Sequence, residues 1–256
     1  MEKKKGHYII GNWKMNPDNR KEAKKLFAGV RKASQRRKAT VVVCPPFLYL
    51  SDMSSESFPK SLKLGAQDCF WKERGSQTGE ISPVQLAELK VSYVIIGHSE
   101  RRLLGESDEM VSDKVRAVLD AGMRPVVCIG ESNRDGQGNY LQFLETQLDS
   151  AFSKVTPAEV DTVIVAYEPI WAIGQSDEDA ITGHLLHEVV VFVRRFLARK
   201  YGKDIGFPVS VIYGGSVSPR NAEEILKDGN VDGLLIGRQS LASESFSEII
   251  DLADSL

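Results

Sequence analysis

The chain has 256 residues, 42% of them hydrophobic, with a formal net charge of -2. That is enough apolar material for one large domain or two small ones, and the near-neutral charge argues against partners such as nucleic acid or an anionic membrane. Cys44, Cys69 and Cys128 lie far apart without a Cys-x-x-Cys pair, which argues against a disulfide framework and a thiolate metal site and fits a reducing compartment.

The N-terminal residues run from Glu2-Lys3-Lys4-Lys5 straight into His7-Tyr8-Ile9-Ile10-Gly11-Asn12, without the apolar segment of a secretory signal. No stretch is long and apolar enough to span a bilayer. A cytoplasmic, soluble protein is the expectation. The basic runs, here and at Arg36-Arg37-Lys38, read as solvated ends of elements. From Tyr8-Ile9-Ile10 onward, short β-branched runs recur: Thr40 to Cys44, a weaker Leu62 to Ala66, Tyr93 to Ile96 and Val126 to Ile129. The second half adds Val163 to Ala166, Val209 to Ile212 and Leu234 to Ile236. Runs this continuously apolar suit parallel strands covered on both faces.

Between the runs lie segments of helical spacing with charged faces, among them Ala23 to Ala33, Asp108 to Ala121, Tyr140 to Val155 and Ala180 to Tyr201. Ser82-Pro83 and Ser218-Pro219 place a capping hydroxyl before a proline, a helix start. Gly122 and Gly229 fall where helices should stop. No linker interrupts the pattern, so residues 1 to 256 read as one domain. Strand-helix alternation of this kind means a parallel α/β fold, but it leaves a closed barrel and an open doubly wound sheet both standing.

In barrels of this kind, functional groups collect at the carboxyl ends of the strands. Past the first run stand Asn12 and Lys14; past the fourth, His98, Ser99 and Glu100; past the sixth, Glu168. Gly214-Gly215-Ser216 follow the seventh run, and Gly237 and Arg238 the eighth. A lysine, a histidine, a carboxylate and two glycine-containing loops suited to phosphate would then converge on one mouth. Each residue alone could be no more than a polar loop start, but the set is hard to explain that way. Ser99 lacks the Gly-x-Ser-x-Gly setting of a hydrolase and reads as the cap of a short helix. His184 and His187 have a spacing that metals use, but no placed partner completes the set, so a helix-surface role is expected.

The motifs Gly11-Asn12-Trp13-Lys14-Met15-Asn16, Gly97-His98-Ser99-Glu100-Arg101-Arg102, Tyr167 to Gly174 and Tyr213-Gly214-Gly215-Ser216-Val217 resemble those of the triosephosphate isomerase family. Gly65 to Asp68, Thr78 to Ser82 and Cys128 to Glu131 fit in the same order, so the resemblance covers essentially the whole chain. It implies a closed eight-stranded parallel (β/α)8 barrel, the TIM barrel, and an aldose-ketose isomerase of a small sugar phosphate. Glu168 would be the base, with Asn12, Lys14 and His98 as donors to the developing oxyanion and Glu100 beside Lys14. Gly174, Ser216, Gly237 and the amide of Arg238 would bind phosphate. Pro169 to Ser176 would form a lid, Ile173 and Leu235 would close over the substrate, and Tyr213, Ser216 and Glu131 would hold the lid's positions. Cys128 would be a packing residue near the base. No cofactor and no metal are expected. The family's homodimer would use residues 67-81, with Thr78 near the partner's Asn12 and Glu80 facing the partner's Arg101.

Two departures lie near the phosphate. Gln175-Ser176-Asp177-Glu178-Asp179 stand where the family usually has Thr-Gly-Lys-Thr-Ala, and Arg238 stands where it has a second glycine. Together with Phe70-Trp71 they resemble paralogues that isomerise four-carbon ketose phosphates of the erythrulose 1-phosphate type. That substrate class is the alternative to a triose, and a non-catalytic phosphate-binding barrel is the reading from another class. Trp71 has no assigned role.

Overall fold

In the computed structural model, which describes residues 6 to 172 and 181 to 256, eight parallel strands close on themselves in the order of the sequence. The strands are β1 (Tyr8–Asn12), β2 (Thr40–Cys44), β3 (Leu62–Ala66), β4 (Val91–Ile96), β5 (Arg124–Ile129), β6 (Ile164–Tyr167), β7 (Ser210–Tyr213) and β8 (Gly233–Ile236). Closure runs through β1 and β8, where Tyr8 pairs with Gly233 and Gly11 with Ile236. The open-sheet alternative is thereby excluded.

Helices cover the outside. In chain order they are α1 (Arg20–Ala33), α2 (Phe47–Ser54), α3 (Pro83–Glu88), α4 (Ser99–Leu103), α5 (Asp108–Asp120) and α6 (Asn139–Ala151). Then follow α7 (Gly183–Tyr201), α8 (Lys203–Gly206), α9 (Ala222–Asp228) and α10 (Ser243–Ser255). Residues Ile9, Val41 and Val43 face this helical layer, while Tyr8, Ile10, Val42 and Cys44 fill the barrel interior. Each strand is therefore apolar on both sides, as its continuous apolar run requires.

Helix starts differ from expectation where side chains intervene. The first helix begins at Arg20 rather than Ala23, because Asn19 accepts the Glu22 amide at 3.0 Å and caps it there. Ser82 caps α3 in a full capping box with Gln85. At Ser218-Pro219 the chain makes a turn first, with Asn221 accepting the Ser218 amide, and the regular helix starts at Ala222. Helix α7 begins at Gly183, capped by Thr182. Gly122 follows α5 with a φ of 73°, the left-handed stop its position suggests, whereas Gly229 ends α9 at φ -72°.

The period of two along each strand decides what the barrel presents at its carboxyl end. The face that buries Tyr8 and Ile10 inside carries Asn12 next; the face of Ile164 and Ala166 carries Glu168; that of Ile212 carries Gly214. At the opposite end Arg124 closes the barrel, its guanidinium 5.4 Å from the Tyr8 ring centre and 5.6 Å from that of Tyr93. It also donates to Tyr8 Oη at 2.9 Å and to the carbonyls of Thr162 and Asp161, both at 3.0 Å.

Candidate active site

A cavity of about 510 Å³ opens at the carboxyl end of the barrel, lined by Asn12, Lys14, His98, Glu168, Gly214, Ser216, Leu235, Gly237 and Arg238 among others. The residues expected from the strand ends thus converge. Glu100 is not in this lining; it meets Lys14 from behind, accepting from its ammonium at 2.5 Å. Ile173 and Gly174 lie outside the described residues, as do Gln175 to Asp179.

Glu168 is 1% exposed. Its Oε2 accepts the Ser99 amide at 3.2 Å, and its Oε1 stands 3.3 Å from His98 Nε2 without a hydrogen bond. A buried carboxylate oxygen with unmet capacity is costly to maintain and asks for a reason beyond packing. Room for this side chain comes from Gly214: a Cβ there would stand 2.8 Å from Glu168 Cγ.

His98 breaks the period of two. Gly97, at φ 72°, turns the chain through a conformation that a side chain rarely adopts, and His98 becomes the residue that caps α4. Its Nδ1 accepts the Glu100 amide at 3.2 Å. An accepting ring nitrogen carries no proton, which leaves Nε2 as the ring nitrogen able to donate into the cavity. The expected cap, Ser99, instead offers its backbone amide to Glu168. The correction has a physical cause: the strand exits one residue early at Gly97, which moves the cap to the histidine ring.

Lys14 is held in the left-handed region at φ 53°, a strained state for lysine. Two contacts fix it there. Its amide donates to Asn12 Oδ1 at 3.1 Å, and its carbonyl accepts from Gln67 Nε2 at 3.0 Å. The same Gln67 group donates to the Cys44 carbonyl at 2.9 Å, anchoring the clamp to β2. Sequence reasoning had Gln67 only within a motif and as the start of the segment 67-81; it directly follows β3, and nothing local marks the bonds it makes.

Below α4, the nearly buried Lys114 bonds Asp68 at 2.7 and 2.9 Å and also Glu106, while Asp68 lies 3.0 Å from Arg101 Nε. Burial pushes the Asp68 carboxyl above its usual range, opposed by the Lys114 ammonium. This cluster joins the helix that carries His98 and Glu100 to the root of the segment 67-81.

On the β6 side, Glu131 Oε1 accepts from Tyr167 Oη at 2.8 Å and Trp171 Nε1 at 2.9 Å, and the Ile170 amide donates to the Glu131 carbonyl at 2.9 Å. These bonds hold the described start of the segment after β6. The Tyr213 hydroxyl lies by the backbone amides of Ser216 and Ile181, and burial raises its pKa well above the usual value. Burial, followed by the charge of Glu168, pushes the Cys128 thiol well up as well, so it stays protonated and packs. Phe70 and Trp71 stack at 4.0 Å between ring centres and do not line the cavity of their own chain.

The triosephosphate isomerase family model matches residues 7 to 253. The chain belongs to the triosephosphate isomerase family. Among curated relatives, the triosephosphate isomerase of Natranaerobius thermophilus is 42% identical over 96% of this chain and 95% of its own. Those of a Thermoanaerobacter species and of Fusobacterium nucleatum are 42% and 38% identical, over 95% and 94% of this chain and 98% and 96% of theirs. Among the described residues no helix is long and apolar enough to cross a membrane.

Proposed function

We propose that the chain interconverts dihydroxyacetone phosphate and D-glyceraldehyde 3-phosphate through an enediolate, with Glu168 as the base. The observation that carries this is the buried Glu168 carboxylate, one oxygen unbonded, beside the His98 imidazole at the mouth of the barrel. Glu168 takes a proton from the carbon next to the carbonyl and returns it to the former carbonyl carbon, while His98 Nε2 gives its proton to the carbonyl oxygen and takes one from the hydroxyl on the neighbouring carbon. One carboxylate suffices because the two carbons are adjacent. Charge gathers on the carbonyl oxygen as the proton leaves, and His98 Nε2–H is a donor already aimed into the cavity. Asn12 spends its carboxamide oxygen on the Lys14 amide, which leaves its NH2 group for the same oxyanion. Lys14 adds positive charge, and Glu100 holds it in position.

The phosphate is read by the backbone amides of Ser216, Gly237 and Arg238, donors that need no reorganisation when a dianion arrives. Leu235, the last inward side chain of β8, supplies the apolar wall over the enediolate. The triose reading is favoured over the four-carbon one because Asn12 is retained at the cavity and the relatives named above are triosephosphate isomerases. A coupled assay of the interconversion tests it: turnover of both trioses is expected, and faster turnover of a tetrulose phosphate would overturn the substrate assignment. A barrel that only binds phosphate would show no turnover of either.

The assembly is a homodimer formed by residues 67-81. Residues 72 to 80 are exposed along their whole length, and beside the active cavity lies a second one of about 470 Å³, which shares Asn12, Lys14 and His98. Met15 and Leu104, 92% and 80% exposed, line it as apolar surface unsuited to water. A neighbour's segment seated there would press on the Lys14 clamp. Arg101 keeps part of its guanidinium exposed for the partner's Glu80. Thr78→Arg should shift sedimentation towards monomer and lower kcat/KM in parallel; a monomer with full activity would contradict this. The cysteines are free and buried, which suits a reducing cytoplasm.

A further inference from the structure

Arg238 is the charged residue of the cavity that catalysis leaves unused. It opens the short 3-10 segment Arg238–Leu241 after β8, is exposed, and lies on the cavity wall with Lys14, Ser216 and Gly237. Replacing a glycine here raises a conformational question, which the backbone answers. Positive φ outside glycine occurs, among the described residues, at Lys14, Arg36, Lys90 and Asn230, not at 238, so the arginine is accommodated without strain.

The charges of the site show what it does there. Lys14 is already paired with Glu100, and Glu168 adds a second carboxylate without a cation of its own. Arg238 makes no ion pair with a described residue. Without it, one cation would face two carboxylates before a dianionic ligand arrived. Backbone amides orient a phosphate but carry only partial charge. The two cations also flank one piece of backbone: a Cβ on Gly237 would touch Lys14 Cε at 3.6 Å, and Arg238 is the next residue.

We propose that the Arg238 guanidinium is a specificity-determining cation that takes the substrate's phosphate dianion from the solvent side, while the amides hold it from the barrel side. This rests on the triose phosphate reading and adds to it a side-chain contact. A planar guanidinium matches two phosphate oxygens at once, which a lysine in its place would not. Because Arg238 is at the rim, it acts on binding of the phosphate and leaves the proton transfers at Glu168 untouched.

The test uses inorganic phosphate as a competitive inhibitor of the wild type, Arg238→Gln and Arg238→Lys, with kcat/KM for D-glyceraldehyde 3-phosphate and for unphosphorylated D-glyceraldehyde. For Arg238→Gln the inhibition constant of phosphate should rise roughly tenfold, the effect of losing one charge-assisted bond. KM for the phosphorylated substrate should rise with it, while kcat and the rate on glyceraldehyde hold. Arg238→Lys should recover part of the loss, more at low salt than at high. An unchanged inhibition constant in Arg238→Gln overturns the proposal, as does an equal loss on both substrates. If the wild type turned over no triose phosphate, the function would fail by itself; calorimetric binding of inorganic phosphate to the wild type and to Arg238→Gln would still judge Arg238.

Discussion

The two ends of the barrel are built from the same strands and differ in how their polar groups are spent. At the amino end, Arg124 lies against two tyrosine rings and gives its protons to Tyr8 Oη and two carbonyls. At the carboxyl end, Lys14 is held at positive φ, and Glu168 is buried with one oxygen unbonded. The amino end is satisfied and serves stability. The carboxyl end retains strain and unmet bonding capacity, the condition of a site organised for a ligand that completes it.

The contrast is broken most severely at the base. Glu168→Gln keeps shape and removes basicity, and should lower kcat by roughly 10²–10⁴-fold, the usual range for general base catalysis. Its melting temperature should stay level or rise, since a buried charge is removed; a large loss of stability with retained kcat would reverse the roles of the two ends. Gly214→Ala tests the same carboxylate through its neighbour. The added Cβ would press on Glu168 Cγ and displace the carboxylate by about an ångström, which can cost on the order of 10²-fold in rate. Steady-state kinetics beside a thermal melt would read both.

The smallest expected effect lies at the other end and has the opposite signature. Arg124→Met keeps the apolar stem but removes the bonds to Tyr8 Oη and to the Thr162 and Asp161 carbonyls at the barrel's end, and should cost about 0.5–1.5 kcal/mol of stability. Urea titration should show the loss, and kcat/KM should not change. A fall in kcat/KM at constant stability would mean that the closed end communicates with the site.

Much of this difference was legible before any coordinates. The apolar runs gave strands covered on both faces, and standing just past the first and sixth runs marked Asn12 and Glu168 as groups at the carboxyl end. His98 was legible as a residue just past the fourth run and through its motif, but its place as the cap of α4 depends on the φ of Gly97, a backbone property that residue types do not spell out. The Gln67 clamp and the Lys114, Asp68 and Glu106 cluster were missed because they join distant segments, and no local pattern marks a long-range hydrogen bond. Ser99 was read as a side-chain cap and acts through its backbone, the part of a residue that sequence describes least.

The central claim is that Glu168 carries the proton between two carbons. Running the interconversion in deuterium oxide tests it, because a carboxylate that holds the proton between the two transfers lets it exchange with solvent. The account predicts deuterium at the newly protonated carbon of the product in the wild type, with both turnover and label uptake collapsing in Glu168→Gln. Rapid isomerisation by that variant, with solvent deuterium still entering the product, would contradict it.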